Sequence, residues 1–115
     1  MRSCFLIPAE LTRSKRVSRM AGIVWAIVRT AEAFGETEVP AMEVARRVGT
    51  DCRHVTLLYR DLVREGLMET RKVAGSPKDG RRGGSRRLYA RALWPEWLGP
   101  GEEFRRVLEV LVSAS

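Results

Sequence analysis

The alternation of apolar and polar positions divides this chain into helical and strand-like stretches punctuated by glycine and proline. A first helix is expected to start between Pro8 and Ser14 and to run to Phe34, where Gly35 ends it. At about 100° per residue, Ile23, Phe34, Ile27, Met20, Ala31, Val24 and Val28 cover one arc, wide enough for a core-facing stripe. Trp25 falls outside that arc, beside Glu32, and needs a second cover, from the C-terminal tail or from another subunit. Glu36–Val39 reads as a short strand leading into Pro40, a good first-turn residue. A second helix then buries Ala41, Val44, Ala45 and Val48 and stops at Gly49. The third is capped by Asp51 or Thr50 and runs to Glu65, with Gly66 as its stop.

Leu67–Ala74 alternates as a half-exposed strand does, and Arg86–Ala92 returns, with Leu88 and Ala90 opposite Arg87, Tyr89 and Arg91. The Gly/Pro-rich loop from Ser76 to Ser85 joins them into a hairpin with a long basic tip. Trp94–Pro100 breaks regular structure. A last helix follows from about Glu102, with Phe104, Val107, Leu108, Leu111 and Val112 on a broad apolar face.

At 115 residues the chain is one domain by length and buries roughly 65% of its unfolded surface. Its formal charge of +7 makes nucleic acid the first partner to consider. Arginine supplies 18 of the 21 basic residues, and its planar fork pairs with phosphates and guanine edges better than lysine does. Cys4 and Cys52 are far apart and make no zinc pattern, and Cys52 and His54 point different ways on a helix. A reduced, cytoplasmic protein with no metal and no cofactor is expected. The N-terminal apolar run is too short for a signal peptide. Arg29 and Glu32 interrupt the stretch Met20–Phe34, so neither secretion nor a membrane span is expected. No phosphate-binding glycine loop, paired carboxylates or Ser/His/Asp set has supporting context, so no enzyme and no catalytic residue is expected. His54 and Tyr59 read as a surface polar residue and a core residue.

The segment Glu43-Val44-Ala45-Arg46-Arg47-Val48-Gly49 is similar to the E-L-A-x-x-L-G scaffold helix of winged helix-turn-helix DNA-binding proteins. Val55-Thr56-Leu57-Leu58-Tyr59-Arg60-Asp61-Leu62-Val63-Arg64-Glu65-Gly66-Leu67 resembles their V-S-R-H-L-x-x-L-x-x-x-G-L recognition helix. In order and spacing, from about Ala21 to Ala92, the chain resembles small prokaryotic transcriptional regulators of the MarR-like and ArsR-like kind. The resemblance implies an α+β, mostly α fold: a three-helix core plus β-hairpin wing, with an extra C-terminal helix. Residues 1–92 would be the DNA-binding domain with an N-terminal extension. Residues 93–115 would pack on that core or on a dimer partner.

The third helix supports this reading. Val55, Leu58, Tyr59 and Leu62 gather on one side, and Arg53, Leu57, Arg60 and Arg64 on the other, with Thr56 at the edge. The second side is the one a winged helix lays in the major groove of double-stranded DNA. Arg53 and Thr56 are expected to read base edges, with Leu57 against a thymine methyl. Arg60 and Arg64 suit phosphates, as do Lys78, Arg81, Arg82, Arg86 and Arg87 of the wing, on the backbone or in the minor groove. Asp51, Asp61 and Glu65 cancel the charge of Arg53, Arg60 and Arg64, so the excess lies mainly in the hairpin. The basic cluster Arg13, Lys15, Arg16 and Arg19 is a further candidate for phosphate contact. A homodimer is expected, with Trp25, Phe104, Leu108 and Leu111 in its interface, because the apolar surface exceeds what a small core covers. A small-molecule effector leaves no mark on the sequence. The alternative is a winged-helix protein-interaction or RNA-associated adaptor.

Overall fold

A computed structural model of the protein describes residues 5–36, 39–73 and 87–114. Its elements, in order, are α1 (Ala9–Arg13), α2 (Arg19–Ala33), α3 (Ala41–Val48), α4 (Cys52–Arg64), β1 (Met68–Val73), β2 (Arg87–Ala92), a 3-10 turn at Glu96–Leu98 and α5 (Glu102–Ser113). This is a mostly helical α+β domain: four helices, an antiparallel hairpin and a C-terminal helix, an order consistent with winged-helix-like topology.

The expected first helix is two helices. The chain leaves α1 at Ser14, whose hydroxyl accepts from Arg16 N (3.1 Å), and re-enters helix at Ser18, whose Oγ accepts from Ala21 N (3.2 Å). Serine side chains that bond the nearby backbone compete with the helical ladder, and here they both end one helix and cap the next. The break also removes a conflict, since Arg13 now closes α1, at the end where the helix dipole favours cations.

α2 is the centre of the molecule. It contacts α1, α3, α4, β2 and α5. Ala21, Gly22, Val24, Trp25, Ala26, Ile27, Val28, Thr30 and Ala31 are all buried, so the helix is apolar around most of its circumference. The single-arc expectation therefore fails at both ends: Met20 and Phe34 are 37% and 40% exposed, whereas Trp25 is fully buried. Thr30, the one buried polar residue of the core, accepts from Leu6 N (3.1 Å) and ties the N-terminal segment down.

The hairpin pairs Met68 with Ala92 through to Val73 with Arg87, so Met68, Thr70 and Lys72 share a face with Ala92, Ala90 and Leu88. Only Met68 of β1 is buried. Of the strand expected at Glu36–Val39, Thr37 and Glu38 lie outside the described residues, and the neighbouring Pro40 makes a single antiparallel bridge to Tyr89. The half-buried Glu32 carboxylate accepts from Ala92 N (2.9 Å), and burial raises its pKa above the ordinary glutamate value.

The C-terminal segment returns onto α2. Leu93 N donates to Leu67 O (2.8 Å), and Leu93 O accepts from Trp25 Nε1 (3.2 Å). Trp25, Trp94 and Phe104 form a three-ring cluster with centroids 5.5–5.9 Å apart. Trp97 Nε1 donates to Glu65 O (2.8 Å) at the end of α4, and Arg16 lies over the Trp97 ring, 4.7 Å from its centroid.

Candidate nucleic-acid interface

The turn between α3 and α4 is closed by local chemistry. Gly49 adopts φ 87°, ψ 35°, a left-handed conformation in which an L side chain is strained, and its N–H donates to Ala45 O (2.9 Å). Two residues on, Asp51 Oδ1 accepts from His54 N (2.7 Å) and caps α4, while the Thr50 hydroxyl meets His54 Nδ1 (3.0 Å). Replacing Asp51 with alanine should lower stability by about 1 kcal/mol, read by urea unfolding, with Asp51→Asn recovering most of it. An alanine variant as stable as the parent would show that the cap contributes nothing.

α4 is divided into two sides. Val55, Leu58, Tyr59 and Leu62 are buried against the core, while Arg53, Leu57 (51% exposed), Arg60 and Arg64 face solvent. Thr56 is half-buried at the edge, and its hydroxyl donates back to Cys52 O (2.9 Å). The structure thus brings together the six α4 positions singled out in the sequence, apart from the wing. Asp61 lies 3.7 Å from Arg64 as an exposed pair, which offsets part of that charge while adding little stability. Arg53 and Arg60 have no acidic partner among the described residues.

The scaffold helix differs. Glu43 holds both Arg46 and Arg47, and Arg47 also pairs with Glu36 (3.0 Å). The Arg46 guanidinium, aided by Arg47, draws the Glu43 carboxyl down to about 2. The α3 arginines are therefore occupied within the fold, and the uncommitted cations lie on α4.

Of the expected wing contacts, Arg87 is exposed at the base of β2, opposite Val73. Lys78, Arg81, Arg82 and Arg86 lie outside the described residues. The sequence reading missed Arg71 and Lys72, exposed on the hairpin stem. Their signal was the polar majority of a strand that buries only its first residue. It also did not anticipate that Arg16 would sit 3.6 Å from Glu65, bringing the α1–α2 linker beside the end of α4.

The dimer expectation needs correction in its residues. Trp25 (0% exposed), Phe104 (6%) and Leu108 (3%) are buried within one chain, and Leu111 packs half-buried against the same core. The apolar surface that looked excessive is covered by the chain's own C-terminal segment. What α5 leaves exposed is Val107 and Val110.

Among the described residues no helix is long and apolar enough to cross a membrane, and no group of three His, Cys, Asp or Glu is placed to hold a metal ion. Compared with protein families and with curated proteins, the chain matches none.

Proposed function

We propose that this protein is a double-stranded DNA-binding transcriptional regulator of the winged helix-turn-helix kind, with α4 in the major groove and the basic hairpin on the adjacent backbone or minor groove. The observation that carries this reading is the two-sidedness of α4. One side is wholly buried, and the other presents Arg53, Leu57, Arg60 and Arg64 directly after a tight inter-helix turn, while the arginines of α3 are consumed by Glu36 and Glu43. Arg53 and Thr56, near the N-terminal end of α4, are the base readers; Arg60 and Arg64 hold phosphates.

Selection from a randomised duplex pool at two salt concentrations tests the reading. The wild type should enrich a defined motif, and a palindromic one would mean that two copies bind together. With six to eight phosphates neutralised, log K should fall against log salt with a slope of roughly −5 to −7. Arg53→Ala should relax preference at one base position, at a cost of about 1–3 kcal/mol, whereas Arg60→Ala should weaken all sequences alike and reduce the slope by about 1. A wild type that binds no duplex at low salt would overturn the proposal in favour of an adaptor for protein or RNA.

A further inference from the structure

Tyr59 has a polar atom that the fold does not satisfy. Its side chain is 1% exposed, and among the described residues its hydroxyl is the buried side-chain oxygen or nitrogen with no hydrogen-bond partner. Leaving such a group unpaired costs about 1–3 kcal/mol, and phenylalanine would fill nearly the same space without that cost. The hydroxyl is thus a donor awaiting an acceptor.

The position on the helix indicates where that acceptor lies. Seven residues span close to two turns of an α-helix, so Tyr59 lies on the same side of α4 as Cys52. Large helical side chains lean toward the N-terminus, which carries the phenol toward the first turn. Cys52 opens that turn as an exposed free cysteine, and its charge adds to the burial that pushes the Tyr59 phenol pKa upward. The first turn also presents the unpaired N–H groups and positive end of the helix dipole, to which an anionic oxygen on sulfur is drawn.

We propose that Cys52 is a site of oxidation by hydroperoxides, with the Tyr59 O–H donating a hydrogen bond to the oxygen that the sulfur acquires. The sulfur attacks the terminal oxygen of the hydroperoxide. An S–O bond forms as the O–O bond breaks, the sulfur loses two electrons, and the departing alkoxide takes up the thiol proton to leave as an alcohol, or as water from hydrogen peroxide. The consequence for DNA rests on the function proposed above. Cys52 precedes Arg53, and its carbonyl accepts from the Thr56 hydroxyl (2.9 Å), so new negative charge there opposes phosphates at the end of α4 that enters the groove.

The test uses the full chain carrying Cys4→Ser, so that Cys52 is its single thiol. After brief exposure to equimolar cumene hydroperoxide, the sulfenic acid is trapped with dimedone and located by peptide mass spectrometry. An adduct at Cys52 is expected, with its yield lowered about fivefold in Tyr59→Phe, the factor carried by one net hydrogen bond of about 1 kcal/mol. Absence of the adduct, or an equal yield in a folded Tyr59→Phe variant, overturns the proposal. Ring-carbon-labelled tyrosine provides a second readout without that variant: the Tyr59 NMR signal should shift on oxidation and the Tyr89 signal should not, and an unmoved Tyr59 signal also overturns it. A protein that binds duplex but yields no adduct refutes this inference alone. One that yields the adduct but never binds duplex refutes the DNA reading alone.

Discussion

Replacing Trp25 with alanine should destabilise the domain by about 3–5 kcal/mol, enough to leave a small domain of ordinary stability near or past unfolding at room temperature. Three losses combine. The indole is fully buried, so its removal opens a cavity at the junction of α2, β2 and α5. The tilted contacts with Trp94 and Phe104, at 5.9 and 5.8 Å, disappear with it. Leu93 O also loses the indole N–H that holds it at 3.2 Å, at the point where the chain leaves β2. Phe34→Ala is the internal comparison, because Phe34 is 40% exposed at the end of the same helix and should cost less than about 1 kcal/mol. Urea unfolding of the two variants separates the possibilities. Equal small losses would mean that the C-terminal segment does not cover Trp25 in solution, and would return that residue to a subunit interface.

That comparison also marks where sequence reasoning succeeded and where it stopped. The α3–turn–α4 unit was legible because its signals are local: Gly49 at a left-handed turn, Asp51 as a cap three residues before the N–H it accepts, and apolar residues at helical spacing. The exposed face of α4 followed from the same spacing. The α1–α2 break was not legible, because an unbroken helical pattern and a capped one differ only in whether Ser14 and Ser18 turn their hydroxyls onto the backbone. Trp25 was misjudged for another reason. A helix wrapped by five other elements has no solvent face for an arc to define, and that wrapping is a property of the whole chain. The orphan hydroxyl of Tyr59 and the pairing of α3 arginines with Glu36 and Glu43 likewise depend on which side chains the fold brings together. The C-terminal segment bears on the candidate site through one such contact: Trp97 donates to Glu65 O, so the piece beyond the hairpin buttresses the end of the helix proposed to enter the groove.

Gly101→Ala should produce the second large loss, about 2–5 kcal/mol, from a single added methyl group. Two costs act together there. Gly101 caps α5 at φ 64°, ψ 25°, where an L-residue is disfavoured by about 1–2 kcal/mol. A Cβ built on it would also come within 2.8 Å of Cε2 and Cη2 of Trp94, and closer still to Cζ2. The indole cannot retreat easily, because it is stacked on Phe104 (5.5 Å, 25°) and donates to Gly99 O (2.6 Å). Overpacking of this kind costs about 1–3 kcal/mol beyond the backbone term. Gly49→Ala isolates the backbone term alone, since Gly49 has φ 87° but nothing within 4 Å of the added carbon. The difference between the two variants in urea unfolding is therefore the packing term at Trp94. A Trp94→Phe background should shrink it, because the smaller ring relieves the overlap, and the double-mutant cycle reads that coupling directly. If Gly101→Ala costs no more than Gly49→Ala, the indole yields freely, and α5 is held to α2 by Phe104 and Leu108 without help from the ring stack.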